Sequence, residues 1–150
     1  MDRTDIRILT YLKENARISA SVIGEKINMS VSAVIERIRK LEDAGIIKQY
    51  TLVLDSKLID KDVSAFISVS LEHPKYSKGF TASVLGNKQI VECHYITGDF
   101  DYLLKAVINS TDSLERVLND IKSIPGVSVT KTLVVLSTIK NDFTVLPDDK

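Results

Sequence analysis

The sequence predicts an α+β protein in two parts, a three-helix N-terminal head and a C-terminal antiparallel sheet with two helices. Three observations predict it. Apolar residues recur at helical spacing up to residue 50, they alternate beyond about residue 62, and the second half orders its elements β-α-β-β-α-β. The 150 residues suit one average domain or two small ones.

In the head, Ile6, Leu9 and Leu12 recur every three residues and Ala16 follows four later, after Asp2 as N-cap. Ser19 caps a second, short helix with Ile23 and Ile27 on one face. Ser30 caps a third, whose buried stripe is read as Val31, Val34, Ile38 and Leu41, and Gly45 ends it in the left-handed region. The β-branched and aromatic run "IIKQYTLVL" then reads as strand, so the head is winged. Boundaries follow at 1–50 for the head, 51–62 for a linker strand or hinge, 63–140 for the sheet domain and 141–150 for a tail without period.

In the sheet domain, Val63, Ala65, Ile67, Val69 and Leu71 share one strand face, with Ser64, Ser68 and Ser70 on the other. "HPKYSKGFTASVLGN" reads as helix by its length and its Gly86-Asn87 stop. "QIVECHYIT" and "DYLLKAVI" read as two strands joined through Gly98, Asp99 and Phe100. Asp112 and Glu115 form a capping box before the stripe Leu114, Val117, Leu118 and Ile121. "VSVTKTLVVLSTI" is the last strand. This order is the ferredoxin-like arrangement, with both helices on one face of the sheet.

Composition narrows the functional classes only a little. Net charge is zero, and residues 1–50 carry nine Lys/Arg against seven Asp/Glu, too weak a bias to name a partner. The lone Cys93 closes no intrachain disulfide and reads as a small buried hydrophobe, which fits a reducing cytoplasm. The N-terminus lacks the apolar core of a signal peptide, and the longest aliphatic run, Leu133 to Leu136, is too short for a membrane span.

"ASVIGEKINMSVSAVIERIRK", residues 20–40, has the parts of a helix-turn-helix. Two short helices that cross steeply need a small residue at the contact, supplied by Gly24. They need a turn residue tolerant of positive φ, supplied by Asn28, and an apolar residue facing back, supplied by Val34. The third helix then exposes Ala33, Glu36, Arg37 and Lys40, with Ser32 at its start. Lying in a major groove, such a helix offers Ser30 and Ser32 to phosphate or base and Arg37 to phosphate or guanine. Arg39, Lys40 and Lys48 are placed for phosphates. Glu36 either pairs with Lys40 or excludes wrong bases. A plain trihelical bundle with a solvated charged face remains the alternative.

"ITGDFDYLL", residues 96–104, sets Asp99 and Asp101 two apart. A catalytic pair lacks a Ser-His-Asp order or phosphate loop beside it, and a calcium loop lacks its glycine and distal glutamate. A hairpin tip fits best: Gly98 allows positive φ and Asp101 begins the next strand. His73 reads as solvated and His94 as buried or at an interface.

Taken together, the chain resembles the Lrp/AsnC, or feast/famine, transcription regulators. The matching stretches are "DIRILTYLKENARIS", "INMSVSAVIERIRKLEDAGII", "YTLVLD", "ECHYITGDFDYLLK" and "IPGV". The resemblance implies a cytoplasmic, nucleoid-associated bacterial or archaeal regulator of amino-acid metabolism that binds double-stranded DNA. It implies no enzyme activity, no cofactor and no metal. It implies a C-terminal ligand-sensing and oligomerisation domain that dimerises through its sheet and assembles into octamers or other dimer-based discs. An amino-acid effector then lies near Thr97, Gly98, Asp99, Phe100 and Asp101, with Asp101 receiving its ammonium and Ser137 and Thr138 completing the site from a neighbouring subunit. Two alternatives stay open: an effector-independent protein that wraps DNA, and a ferredoxin-like metabolite-binding protein or enzyme with a helical interaction module.

Overall fold

The computed structural model describes residues 1–148. The chain divides into two compact units, Met1–Val53 together with the tail from Lys140, and Leu54–Ile139. No helix among the described residues is long and apolar enough to cross a membrane.

The head contains α1 (Arg3–Glu14), α2 (Ala20–Ile27) and α3 (Val31–Asp43). Each begins where the sequence places a cap. The Asp2 carboxylate accepts from the Asp5 amide and the Asp5 carboxylate from the Asp2 amide, a reciprocal capping box. Ser19 and Ser30 accept from Val22 and Ala33. At the end of α3, Gly45 takes φ +68°, its amide donates to the Glu42 carbonyl, and the Ile46 amide donates to that of Leu41. This doubly bonded terminus favours glycine, which enters the left-handed region without strain. The core is Ile8, Ile23, Ile27 and Val34, flanked by Tyr11, Leu12 and Ile38. The inward stripe of α1 is therefore centred on Ile8, with Leu12 kept from the predicted stripe and Ile6 and Leu9 half-buried at its margin, a rotation of about one residue.

The second unit is a sheet of order β2-β3-β1-β4, with every neighbouring pair antiparallel. Its elements are β1 (Val63–Leu71), α4 (Ser77–Gly86), β2 (Ile90–Tyr95), β3 (Tyr102–Ile108), α5 (Thr111–Lys122) and β4 (Val127–Val134). Phe80 and Val84 of α4 and Leu114, Val117 and Ile121 of α5 join Ala65, Ile67, Val69, Leu104, Ala106 and Ile108 in one core. Both helices thus cover the same face, as the ferredoxin-like order demands. Each large side chain fully buried there contributes roughly 1.5–3 kcal/mol. Neither helix of this unit covers the opposite face. Register puts Phe66 between Lys105 and Leu133, Ser68 between Leu103 and Lys131, and Ser64 beside Val107 on that open face.

Four sequence expectations are corrected here. The run "IIKQYTLVL" forms no strand within the chain. β-branched residues favour a pleated ladder only where a neighbour accepts their hydrogen bonds, and here Leu52, Val53 and Leu54 lie exposed. The cap of α5 is Ser110, whose hydroxyl accepts from the Ser113 amide, and not Asp112. Asp112 sits in the first turn instead, where its charge complements the helix dipole. The last strand ends at Val134 because β1 runs out: after the Val135 amide donates to Ser64, no strand remains to pair with. Cys93 is exposed, since β2 is an edge strand.

Candidate nucleic-acid interface and small-molecule pocket

The α2–turn–α3 unit is built around Gly24. A Cβ there would lie 2.6 Å from the Met29 carbonyl oxygen and 3.7 Å from Val34 Cγ2. The chain therefore doubles back directly against α2, and the Met29 amide donates to the Gly24 carbonyl at 2.9 Å. Asn28 makes the reversal at φ 57°, ψ 51°, the left-handed conformation that Asn enters at low cost. Small residue, turn residue and facing valine occupy the places read from the sequence.

Helix α3 buries Val34 and Leu41 and presents Val31, Ser32, Ile35, Glu36, Arg39 and Lys40. This stripe is rotated relative to the predicted one. Ala33 is half-buried, Val31 is exposed, and Ile35, which sequence reasoning missed, joins the stripe beside Val31. Helical spacing alone does not separate positions at the edges of an apolar arc. At the start of the stripe, the Ser30 and Ser32 hydroxyls lie 3.2 Å apart. Glu36 holds Arg39 at 3.5 Å and Lys40 at 3.7 Å. Lys48 is exposed beyond the helix. The Tyr50 hydroxyl fastens that segment to α3 by donating to Glu42 at 2.9 Å. Partial burial and the adjacent carboxylate push its phenol up to about 12.

Arg37 differs most from its predicted place. Its Nη1 donates to Asp2 Oδ2 and to Asp5 Oδ1, each at 2.7 Å. These are the two carboxylates of the α1 capping box, so Arg37 braces the start of α1 against α3. The Asp5 and Asp2 bonds raise the guanidinium further above its ordinary value. The Asp5 amide, then Arg37, hold the Asp2 carboxyl below its own. Both bonds come from Nη1, and the two carboxylates offset the charge that a phosphate or guanine would meet at Arg37.

In the sheet unit, the tip between β2 and β3 turns at Gly98, φ +115°. The Asp101 amide donates to Val69 at 3.0 Å, its carbonyl accepts from Ile96 at 2.9 Å, and its Oδ2 accepts from the Leu71 amide at 2.7 Å. Leu71 lies where the β1–β4 register shifts, so the carboxylate takes up an amide at the break in the ladder. Ser70 Oγ donates to the Asp99 carbonyl at 3.3 Å. Beside the tip is a cavity of about 160 Å³ lined by Leu71, Pro74, Ser77, Tyr95, Asp101 and Tyr102. The Ser77 and Tyr102 hydroxyls are hydrogen-bonded to each other. The Tyr95 and Tyr102 rings are 5.3 Å apart.

Of the predicted pocket residues, Asp101 lines the cavity. Thr97, Gly98 and Asp99 form the exposed tip and Phe100 is half-buried. Ser137 and Thr138 lie exposed past the end of β4 and do not line the cavity of their own chain. Tyr95, Tyr102 and Ser77 were missed. The two tyrosines flank the tip in sequence, and that symmetry was the available signal. A wider recess of about 540 Å³ between Lys13 and residues 140–146 holds none of the predicted site residues.

His94 is exposed on the open face, where its Nε2 lies 3.3 Å from Glu92. Lys105 Nζ lies 3.0 Å from the same carboxylate, and Lys105 first, then His94, hold Glu92 below its ordinary value. Partial burial pushes the Cys93 thiol up.

A helix-turn-helix head followed by a ferredoxin-like unit with a cavity at a strand tip defines a DNA-binding regulator with its own small-molecule domain. Comparison with known proteins agrees. Residues 1–48 match the winged helix-turn-helix DNA-binding model and residues 64–145 the Lrp/AsnC ligand binding domain. The leucine-responsive regulatory protein of Salmonella typhimurium is 34% identical over 143 residues, covering 93% of this chain and 87% of that protein. A transcriptional regulator of Neisseria meningitidis, solved as a complex with L-methionine, superposes with a TM-score of 0.92 at 33% identity, covering 97% of this chain and 96% of the other. AsnC of Escherichia coli superposes at 0.90 with 28% identity, covering 98% and 99%. The chain belongs to the Lrp/AsnC family of transcriptional regulators.

Proposed function

We propose that the chain binds duplex DNA as a symmetric homo-oligomer and responds to an amino acid held beside Asp101. The observation that carries the effector half of this reading is a carboxylate on the wall of a largely apolar cavity next to a glycine tip. Asp101 receives the α-ammonium by a charge-assisted bond, and amides around Gly98 meet the α-carboxylate. Leu71, Pro74, Tyr95 and Tyr102 surround the side chain. A volume near 160 Å³ suits one medium apolar group. The Neisseria regulator and a feast or famine regulatory protein of Mycobacterium tuberculosis, 25% identical at a TM-score of 0.90, were both solved with L-methionine. Ser137 and Thr138 reach the cavity from a neighbouring subunit.

The apolar part of the open sheet face, Phe66, Leu103, Val107, Val129 and Leu133, forms the dimer contact, and dimers build octamers or other discs. Two α3 helices then address half-sites about one helical turn apart. Ser30, Ser32, Ala33 and Glu36 lie against the bases. Arg39, Lys40 and Lys48 meet phosphates, and Arg37 positions the helix from behind. The protein works in the cytoplasm, on the nucleoid. An amino acid acts through its differential affinity for two assemblies or two arrangements of the heads.

One titration series tests both halves. Anisotropy of a duplex enriched from random sequence is followed across salt, with and without each of the twenty amino acids. Arg39→Ala with Lys40→Ala is expected to shallow the salt slope by roughly 2, and an unchanged slope removes α3 from the groove. Asp101→Asn keeps an acceptor for the Leu71 amide but loses the charge. It is expected to weaken the effector by about 10- to 100-fold, and equal potency on both proteins removes Asp101 from the site.

A further inference from the structure

We infer that Ile35 and Val31 read the 5-methyl groups of thymine, making them specificity determinants of the head. The inference rests on α3 entering the major groove. Ile35 is 54% exposed and Val31 45% exposed. Neither joins the head core of Ile8, Ile23, Ile27 and Val34 or the residues packed against it. Four residues apart, they are neighbours on the helix surface and form an aliphatic strip on the exposed side of α3, between the buried row of Val34 and the polar row of Ser32 and Arg39. The strip is bordered by Ser32 on one side of Val31 and by Glu36, Arg39 and Lys40 beyond Ile35. Water is a poor partner for such a strip, and folding of the head gains nothing by exposing it.

A major groove supplies the missing partner. The thymine methyl is the apolar group that base edges present there. Val31 is the first residue of α3, and the N-terminal residues of such a helix approach base edges most closely. The cations that border the strip match the phosphates that border a groove. An apolar protein surface would have to bury Arg39, Lys40 and the ion-paired Glu36 along with the aliphatics, at the cost of their hydration. Glu36, beside Ile35, adds an acceptor suited to the amino group of cytosine and none suited to guanine. The strip therefore selects sites with thymine at the positions under Val31 and Ile35.

Uracil differs from thymine in a duplex by that methyl alone, so it isolates the contact. Duplexes are enriched from a random pool on the intact protein, and each thymine of the preferred site is replaced by uracil in turn. The parent protein is expected to lose roughly fourfold in affinity at one or two positions per half-site, the worth of one buried methyl-sized group. Ile35→Ala is expected to bind the thymine site more weakly and no longer to distinguish uracil at one position. Val31→Ala does the same at a neighbouring position. Both residues are about half exposed, so helix content and melting of the variants serve as controls on folding. An enriched site that tolerates uracil everywhere overturns the inference and leaves groove binding intact. A pool with no enriched sequence overturns the sequence-reading role of α3 and the inference with it. Unchanged discrimination in Ile35→Ala, with a loss of self-association, assigns the strip to a protein contact instead.

Discussion

The head closes around four buried residues, Ile8, Ile23, Ile27 and Val34, whereas the sheet unit buries twelve in one cluster from Ala65 to Ile121. The head compensates with polar joints. Arg37 joins α3 to the Asp2–Asp5 box at the start of α1, and Arg7 Nη2 joins α1 to α2 by donating to the Lys26 carbonyl at 2.9 Å. The sheet unit places its polar bonds at the margins, at the tip and at Leu71, and relies on burial elsewhere. A reading head must keep its presented face accessible, which limits the core it can build. The sheet unit carries its core on the one face that its two helices cover.

Core truncation is the severest way to challenge this contrast. Phe80→Ala is expected to cost about 3–5 kcal/mol and Ile23→Ala about 2–5 kcal/mol. Hydrogen exchange read by mass spectrometry should rise across β1, β3 and α4 in the first variant and across α1–α3 in the second. A common rise in both units from either change would make them one cooperative body. A smaller effect sharpens the contrast within helices. Gly24→Ala drives a Cβ to 2.6 Å from a backbone oxygen and should destabilise by about 1–3 kcal/mol. Gly79→Ala on α4, where a Cβ meets nothing within 4 Å, should stabilise by about 0.4–1 kcal/mol. Thermal melts of the two variants moving in the same direction would contradict the close crossing at Gly24.

The smallest effect concerns protons. Asp2 has a lowered pKa in the folded head, so its contribution is complete above the ordinary carboxylate range and is lost as pH falls through the lowered value. Arg37→Met should therefore melt below the parent at neutral pH. The gap should narrow below about pH 4 as Asp2 loses its charge. A gap independent of pH would mean that Arg37 acts by packing and not through its carboxylates.

The helix-turn-helix was legible because its signals are local. Gly24, Asn28, Ser30 and Gly45 each do their work within a few residues of themselves. The element order of the sheet domain was legible because a two-residue period marks its strands and Gly98 marks the turn between two of them. Other features lie between distant residues. The pairing of Arg37 with Asp2 and Asp5 spans more than thirty positions, and no spacing rule announces it. The meeting of Ser77 with Tyr102 was hidden likewise, since it depends on where α4 lands on the sheet. The run from Ile46 to Leu54 misled because strand propensity is expressed only against a partner strand. Ser110 displaced Asp112 as a cap because two acceptable caps stood two residues apart.

One oxygen of Asp101 already secures the Leu71 amide where the sheet edge changes step. A cation arriving at this carboxylate would draw on electron density that the amide now uses. On the proposed binding mode, occupancy of the cavity and tightness of the strand end would be linked quantities, each shifting the other by an equal free energy. Exchange of that single amide proton with solvent becomes a gauge of the guest, readable without labelling it.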